Sequence, residues 1–356
     1  MIMSNTRQGR NGVKSRRLAR GWSQQELARR AGISRAAVSA IEINRLVPSV
    51  AAALALAQSF DCSVEDLFGQ VRAPTDAEPL WAWPAPPQPC RFWQATIGGR
   101  RLLYPVETTP SAMLEHDGLY QNGVCQFRRH EKSEKSLVLA CCDPAAALLA
   151  TEIQRRTGTR VIILSRSSQQ ALALLGQGVV HAAGVHLATR QAPEANHRAV
   201  RDQLGSGFQL VRVARWQEGL TVSAAAGIRS VRSALRAPLR WVGRQEGSAA
   251  RQCQDELLPR RSPPRRLAHD HRSVAEAIRN GWADAGVCLR LVSEEAGLRF
   301  FAVREETYEW CLPGDGALDP LLHTLREAVQ SSSYRRLLDD LPGYDARECG
   351  EIQQVN

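Results

Sequence analysis

Between Val13 and Phe68 apolar residues recur at helical spacing in short runs: VKSRRLARG, SQQELARRAG, SRAAVSAIE, SVAAALALAQSF and SVEDLF. Glycine or a small polar residue punctuates them, which predicts five short helices. Leu27, Ala28, Ala31, Ile33, Val38 and Ile41 form the expected shared seam. After residue 136 the rhythm changes. LVLACC is answered by DPAAALLATEIQRRTG, and RVIILS by SSQQALALLGQG and VVHAAGVHL; LRWVGR then restarts the pattern, followed by EGSAARQCQDELL, RSVAEAIRNG and WADAGVCL. Apolar runs of strand length alternating with Ala/Leu-rich helices predict βαβ units in two α/β lobes. FQLVRVARWQEGLTV and FFAVREETYEWCLP are the expected crossings between lobes, and two helices from about Leu318 to Leu341 are expected to pack on the first.

Residues 71–90 hold six prolines and two tryptophans. That density predicts a stiff extended linker without helix or sheet, with Trp81 and Trp83 as anchors. RFWQATIGGRRLLYPVE and GVCQFRRH read as short strands around a Gly-Gly turn, giving a β-rich connector over 91–135 whose role is not legible.

At 356 residues, 44% hydrophobic and 23% charged, the chain has room for two or three cores. No apolar run reaches the length of a membrane span, and the basic N-terminus lacks the apolar stretch of a signal peptide; a cytoplasmic protein with no membrane partner is expected. Nine cysteines without a CxxC pair suggest reduced, mostly buried thiols and no metal site. A net charge of +10 favours a polyanionic partner.

In the first segment Ser23 and Glu26 have the spacing of a capping box, Gly32 supplies a turn, and Ser34 is placed to cap the next helix. With the NRLVPS that follows, SQQELARRAGISRAAVSAIE resembles the helix-turn-helix family of phage-repressor type, the XRE or Cro/C1 family. The resemblance implies an all-α domain over 1–70 that binds double-stranded DNA, usually as a homodimer. It makes Ser34–Ile41 the recognition helix, with Arg35, Ala36 and Ser39 towards base edges, Gln24 towards phosphate or a neighbouring base, and Asn44 and Arg45 towards the backbone. Arg35 has the alternative of a plain solvated residue. Lys14, Arg16, Arg17 and Arg20 are expected to add salt-sensitive phosphate attraction.

HAAGVHL, WQEGLTV, RWVGRQEGSAAR, HRSVAEAIRNGWADAGV and LPGYDARECG, spread over about 136–350, resemble the type II periplasmic-binding-protein fold, specifically PBP-like domains similar to molybdate- and tungstate-binding proteins. The resemblance implies a multidomain chain: the helix-turn-helix domain, the linker and connector, and an α/β two-lobed domain over 136–356. Lobe I takes about 136–215 and 305–356, lobe II about 220–304. Cys141, where a glycine is expected, and the polar SRSSQQAL loop depart from the family pattern.

Such sheets bind ligands where strands turn into helix N-termini, whose free amides suit an anion. Ser165, Ser167, Ser168, Ser248 and Ser273 lie at these turns, Arg251 and His271 offer positive charge or donors, and Gly247 admits close backbone approach. Each serine has plain N-capping as its alternative. His181 and His186 read as packed residues and Asp284 as an acceptor for loop amides. The expectation is a one-component transcriptional regulator sensing a small anion, with molybdate or tungstate implied by the resemblance alone and no covalent cofactor. The alternatives are constitutive DNA binding with the second domain as a dimerisation scaffold, or a different metabolite. No catalytic motif is present, so an enzyme is not expected, and no catalytic residue is assigned.

Overall fold

Ser23 and Ser34 each accept a backbone N–H three residues on, from Glu26 and Ala37, both at 3.1 Å. Between them Gly32 turns the chain at φ 63°. Local chemistry therefore sets helix, turn and helix. In this computed structural model the described residues are 13–43, 45–60, 62, 64–68, 79–85, 89–107, 114–128, 135–259, 262–314 and 319–356, and two units divide after Glu78.

The first unit has α1 (Val13–Ala19), α2 (Gln24–Ala31), α3 (Arg35–Glu42), α4 (Val50–Phe60) and α5 (Val64–Phe68). Leu27, Val38, Ile41, Leu56 and Phe60 fill its core. The expected capping box is half made: Glu26 does not reach back to Ser23, because Arg29 and Arg30 hold its carboxylate at 2.8 and 2.7 Å.

The second unit begins with a five-stranded sheet: β1 (Leu80–Trp81), β2 (Cys90–Ile97), β3 (Arg100–Pro105), β4 (Gly118–Gln121) and β5 (Val124–Phe127), ordered β1-β3-β2-β4-β5. The linker and connector expected over 71–90 and 91–135 thus join the fold of this unit from Pro79 onward. β1 lies within the proline-rich stretch and pairs in parallel with β3. Aromatic contacts hold this stretch against the sheet: Trp81 packs edge-on to Phe92 and Tyr120, and Trp83 to Tyr104. Trp93, Leu102 and Tyr104 share a core with Val138, Leu164 and Leu172, so the sheet is a layer of the second unit.

The main sheet runs β12-β9-β13-β8-β6-β7. Lobe I supplies β6 (Ser136–Cys141), α6 (Ala146–Thr157), β7 (Arg160–Ser165), α7 (Ser168–Gly176), β8 (Ala182–Thr189) and α8 (Ala195–Leu204). The chain crosses on β9 (Phe208–Val222). It then forms α9 (Val231–Arg236), β10 (Val242–Arg244), α10 (Ala249–Leu257), β11 (Arg266–Ala268), α11 (His271–Arg279), β12 (Ala285–Leu289) and α12 (Arg290–Glu295), and returns on β13 (Arg299–Pro313). β9 and β13 are fifteen residues each and pair antiparallel along their length, with register shifts at Ala302/Arg304 and Tyr308/Glu309. These are the two expected crossings, and they are the mechanical link between lobes. α13 (Pro320–Gln330) and α14 (Ser332–Asp339) pack on α6, and β14 (Tyr344–Asp345) and β15 (Ile352–Val355) pair with β9.

Candidate functional site

In the first unit Ser34, Arg35 and Ala36 are exposed at the start of α3, Ser39 is half-buried and Arg45 is exposed; Asn44 lies outside the described residues. Ser34 spends its hydroxyl oxygen on the cap. Two residues expected at phosphate are used internally. Arg17 is buried and grips Glu42, Nε to Oε1 at 2.6 Å and Nη2 to Oε2 at 3.1 Å, and Gln24 donates to the same carboxylate at 3.0 Å. Arg20 donates to the carbonyls of Ser59 and Phe60, closing the C-terminus of α4. Arg35 is the exposed cation at the front of α3.

In the second unit the turns after β7 and β10 face each other across the lobes. Ser165, Arg166, Ser167 and Gln170 form one wall, and Arg244, Gln245, Ser248 and His269 the other, around a cavity of about 190 Å³. Arg166 is paired with Glu107 through both ends of its guanidinium and lies over Trp83. Arg244 is 3% exposed, and its Nε and Nη1 have no hydrogen-bond partner among the described residues. A buried guanidinium short of acceptors is costly until an anion supplies them. A second cavity, about 260 Å³ and mostly apolar, adjoins through Ser165 and reaches Cys142, Asp143 and His271.

The expected serines divide. Ser165 lines both cavities. Ser167 is the true cap of α7, in a reciprocal box with Gln170, and Ser248 caps α10 while donating to Gln245 O at 2.9 Å. Gly247, at φ 81°, sits so close to Gln169 of the opposite lobe that a Cβ would lie 2.7 Å from its Oε1. Ser168 is one position inside α7, fully buried, and accepts the His186 N–H at 3.2 Å. Ser273 is three positions inside its helix because Asp270 is the cap, taking both the Ser273 N–H and hydroxyl at 2.7 Å. Arg251 pairs with Asp255 at 2.7 Å. Ser168, Ser273 and Arg251 line neither cavity: Ser168 is turned to β8, Ser273 to the cap of its own helix, and Arg251 to Asp255 one turn on.

Sequence reasoning missed Arg244, although RWVGR shows its signal: a charge ending an otherwise apolar strand. It also missed the buried polar floor of the larger cavity. There burial raises the Asp143 carboxyl to about 6 against the bond from Tyr344 Oη at 2.7 Å. Burial, then the charge of Arg244, holds His271 well below the usual histidine range.

A model of the PBP superfamily domain matches residues 150–330, just over half of the 356 residues. The chain belongs to the PBP superfamily. A helix-turn-helix model matches residues 13–67. The PBP-superfamily part is similar to the uncharacterized protein YvgK of Bacillus subtilis (strain 168), 25% identical over 197 residues, which cover 52% of this chain and 63% of that protein. This chain therefore spans less than two thirds of that relative. The N-terminal unit is similar to the uncharacterized HTH-type transcriptional regulator YgzD of the same organism, 39% identical over 59 residues, 17% of this chain and 89% of that protein. Among solved structures, PhnD1 from Prochlorococcus marinus (MIT 9301) in complex with methylphosphonate is 14% identical with a TM-score of 0.43, covering 60% of this chain and 93% of that one. The chain is thus an XRE-type helix-turn-helix domain joined to a PBP-like domain. Among the described residues no helix is long and apolar enough to cross a membrane.

Proposed function

We propose that this protein is a one-component transcriptional regulator whose PBP-like unit closes over a small anion and thereby changes its affinity for DNA. The observation that carries the anion is Arg244, buried with two nitrogens, Nε and Nη1, that find no acceptor among the described residues, and facing Ser165 and Ser167 across the cleft. The exposed N-terminal turn of α3 supports base contact by Arg35, worth about 1–3 kcal/mol where it pairs with guanine. Tetrahedral oxyanions match the donor set, and molybdate and tungstate are the first to test. A homodimer fits the exposed Leu46, Val47, Val50 and Leu54 of the DNA-binding unit. The protein works in the cytoplasm, where DNA is, and performs no catalysis.

Ligand and DNA are coupled only as far as the ligand prefers one lobe arrangement and that arrangement prefers one DNA-bound state. A thermal-shift screen of oxyanions on the full chain tests the first half. At a ligand concentration of about a hundred Kd, binding stabilises the unit by about 2.7 kcal/mol. Arg244→Met abolishes the shift while the variant still unfolds cooperatively. Operator affinity with and without the anion tests the second half, and equal affinities would make the PBP-like unit a scaffold.

A further inference from the structure

Three side chains of metal-ligating type meet beside the larger cavity, two of them, Cys142 and His271, in its wall. Cys142 follows β6, His186 lies in β8, and His271 opens α11 in the other lobe. All three are buried, and their Sγ and ring nitrogens lie within 4.8 Å of one another. His186 is oriented from behind: its Nδ1 faces Glu306 Oε2 at 2.8 Å, and its Nε2 faces Cys142 Sγ at 2.8 Å. Glu306 is fixed in turn by Trp216 Nε1, 3.0 Å from Oε2, and by Arg304, 2.6 Å from Oε1. A carboxylate on one imidazole nitrogen sets the tautomer and leaves the other nitrogen as the lone-pair donor, the arrangement that supports histidine ligands of metals. His271 is 1% exposed, and neither ring nitrogen has a hydrogen-bond partner among the described residues. It is a nine-tenths-buried side chain set beside a thiol and a second imidazole.

We propose that Cys142, His186 and His271 hold a zinc(II) ion that clasps the two lobes together. One thiolate and two neutral imidazoles are a borderline-soft donor set suited to zinc, and three protein ligands leave a fourth position open to the cavity. Zinc bonds of about 2.0–2.3 Å place tetrahedral donors roughly 3–4 Å apart, so an ion widens the 2.8 Å contact between Cys142 and His186 and fits the span of the cluster, which lies within 4.8 Å. Because His271 comes from lobe II and the other two from lobe I, the ion ties the lobes to each other across the cleft. The Cys142 proton leaves to solvent on binding, and the thiolate with Glu306 balances the charge of the ion itself. The inference goes beyond the anion reading and is measured without any oxyanion, so either can fail alone.

The test uses the full chain, stripped with a chelator and titrated with Zn²⁺ against a chromophoric chelator, and with Co²⁺ as a spectroscopic probe. The expected result is one equivalent per chain and a thiolate-to-cobalt charge-transfer band that Cys142→Ser abolishes. His271→Asn weakens Zn²⁺ at least about 10-fold, and Glu306→Gln, acting through His186, weakens it about 10–100-fold. Circular dichroism confirms that each variant is folded, and Cys142→Ala replaces the serine variant if that one is not. No stoichiometric uptake by the folded wild type overturns the proposal. So does a charge-transfer band that survives loss of Cys142, which would assign the ion to another cysteine, and so does uptake of Cu⁺ without Zn²⁺.

Discussion

Arg160 of β7 holds Asp117 with both ends of its guanidinium, Nη1 to Oδ1 at 2.8 Å and Nη2 to Oδ2 at 2.6 Å. The pair spans from the main sheet to the turn before β4, and it is tied further by Gln94 N–H donating to Asp117 and by Arg160 donating to Gln94 O and Ser136 Oγ. Both side chains are largely buried. Asp117→Ala would leave a buried guanidinium unpaired, and it is expected to destabilise the PBP-like unit by about 3–5 kcal/mol. Urea unfolding of the purified chain reads this directly, and a loss below about 1 kcal/mol would show the small sheet to be dispensable.

The corresponding pair in the DNA-binding unit predicts a separation of stability from recognition. Glu42 is held by Arg17 and Gln24, with side-chain exposures of 9% for Arg17 and 2% for Glu42. Glu42→Ala strands Arg17 and is expected to cost about 3–5 kcal/mol of that unit's stability. Arg35→Ala, on an exposed position, is expected to leave the unfolding midpoint within the range of a surface change and to weaken operator binding about tenfold or more. The two measurements together check it: a variant that lost both properties equally would place Arg35 in the fold.

The helix-then-strand phrases GVVHAAGV and GWADAGV each carry a late glycine that faces the sheet. A Cβ on Gly184 would lie 2.6 Å from Cys141 Cβ and 2.7 Å from Tyr308 Oη; on Gly286, 2.7 Å from Val274 Cγ1 and 2.8 Å from Val242 Cγ1. Two neighbouring strands at Gly184, and a strand and a helix at Gly286, approach too closely for a side chain. Gly184→Ala and Gly286→Ala are each expected to cost about 1–3 kcal/mol by overpacking. Differential scanning calorimetry checks this, and unchanged transitions would mean that the neighbours yield freely.

These glycines show what the sequence discloses. Periodicity and punctuation carry the five helices, the α/β alternation and the long crossings β9 and β13, because each is a local pattern. The small sheet was legible as strands but not as part of the ligand-binding unit, since its attachment rests on Trp83, Trp93 and Asp117 meeting residues far along the chain. The cleft was legible as turns. Which serine faces it was not, because one residue decides whether Ser167 or Ser168 is the cap, and Asp270 displaces Ser273 from that role. Arg244 and the Cys142–His186–His271 cluster are tertiary facts: their meaning is the absence of a partner or the arrival of one from another lobe.

His181 gives the pH dependence a sign. Its Nδ1 accepts the Val138 N–H at 3.0 Å, a bond open only to the neutral ring, and burial lowers it to about 4. Its unfolded value is about 6.5, so between these two values the unfolded chain binds more protons than the folded one. The stabilisation is complete above about pH 6.5 and is lost as pH falls towards 4, at about 1.4 kcal/mol per unit. Asp143 acts in the opposite direction: its raised carboxyl pKa makes the fold lose stability as pH rises from about 3.8 to about 6. The decisive quantity is therefore the difference between wild type and His181→Gln, whose amide oxygen can accept the same bond without titrating. Urea unfolding at about pH 7.5 and about pH 4.5 is expected to show wild type losing about 2–3 kcal/mol more than the variant. Equal losses would mean that His181 is protonated in the fold, and that the bond to Val138 breaks in acid without cost.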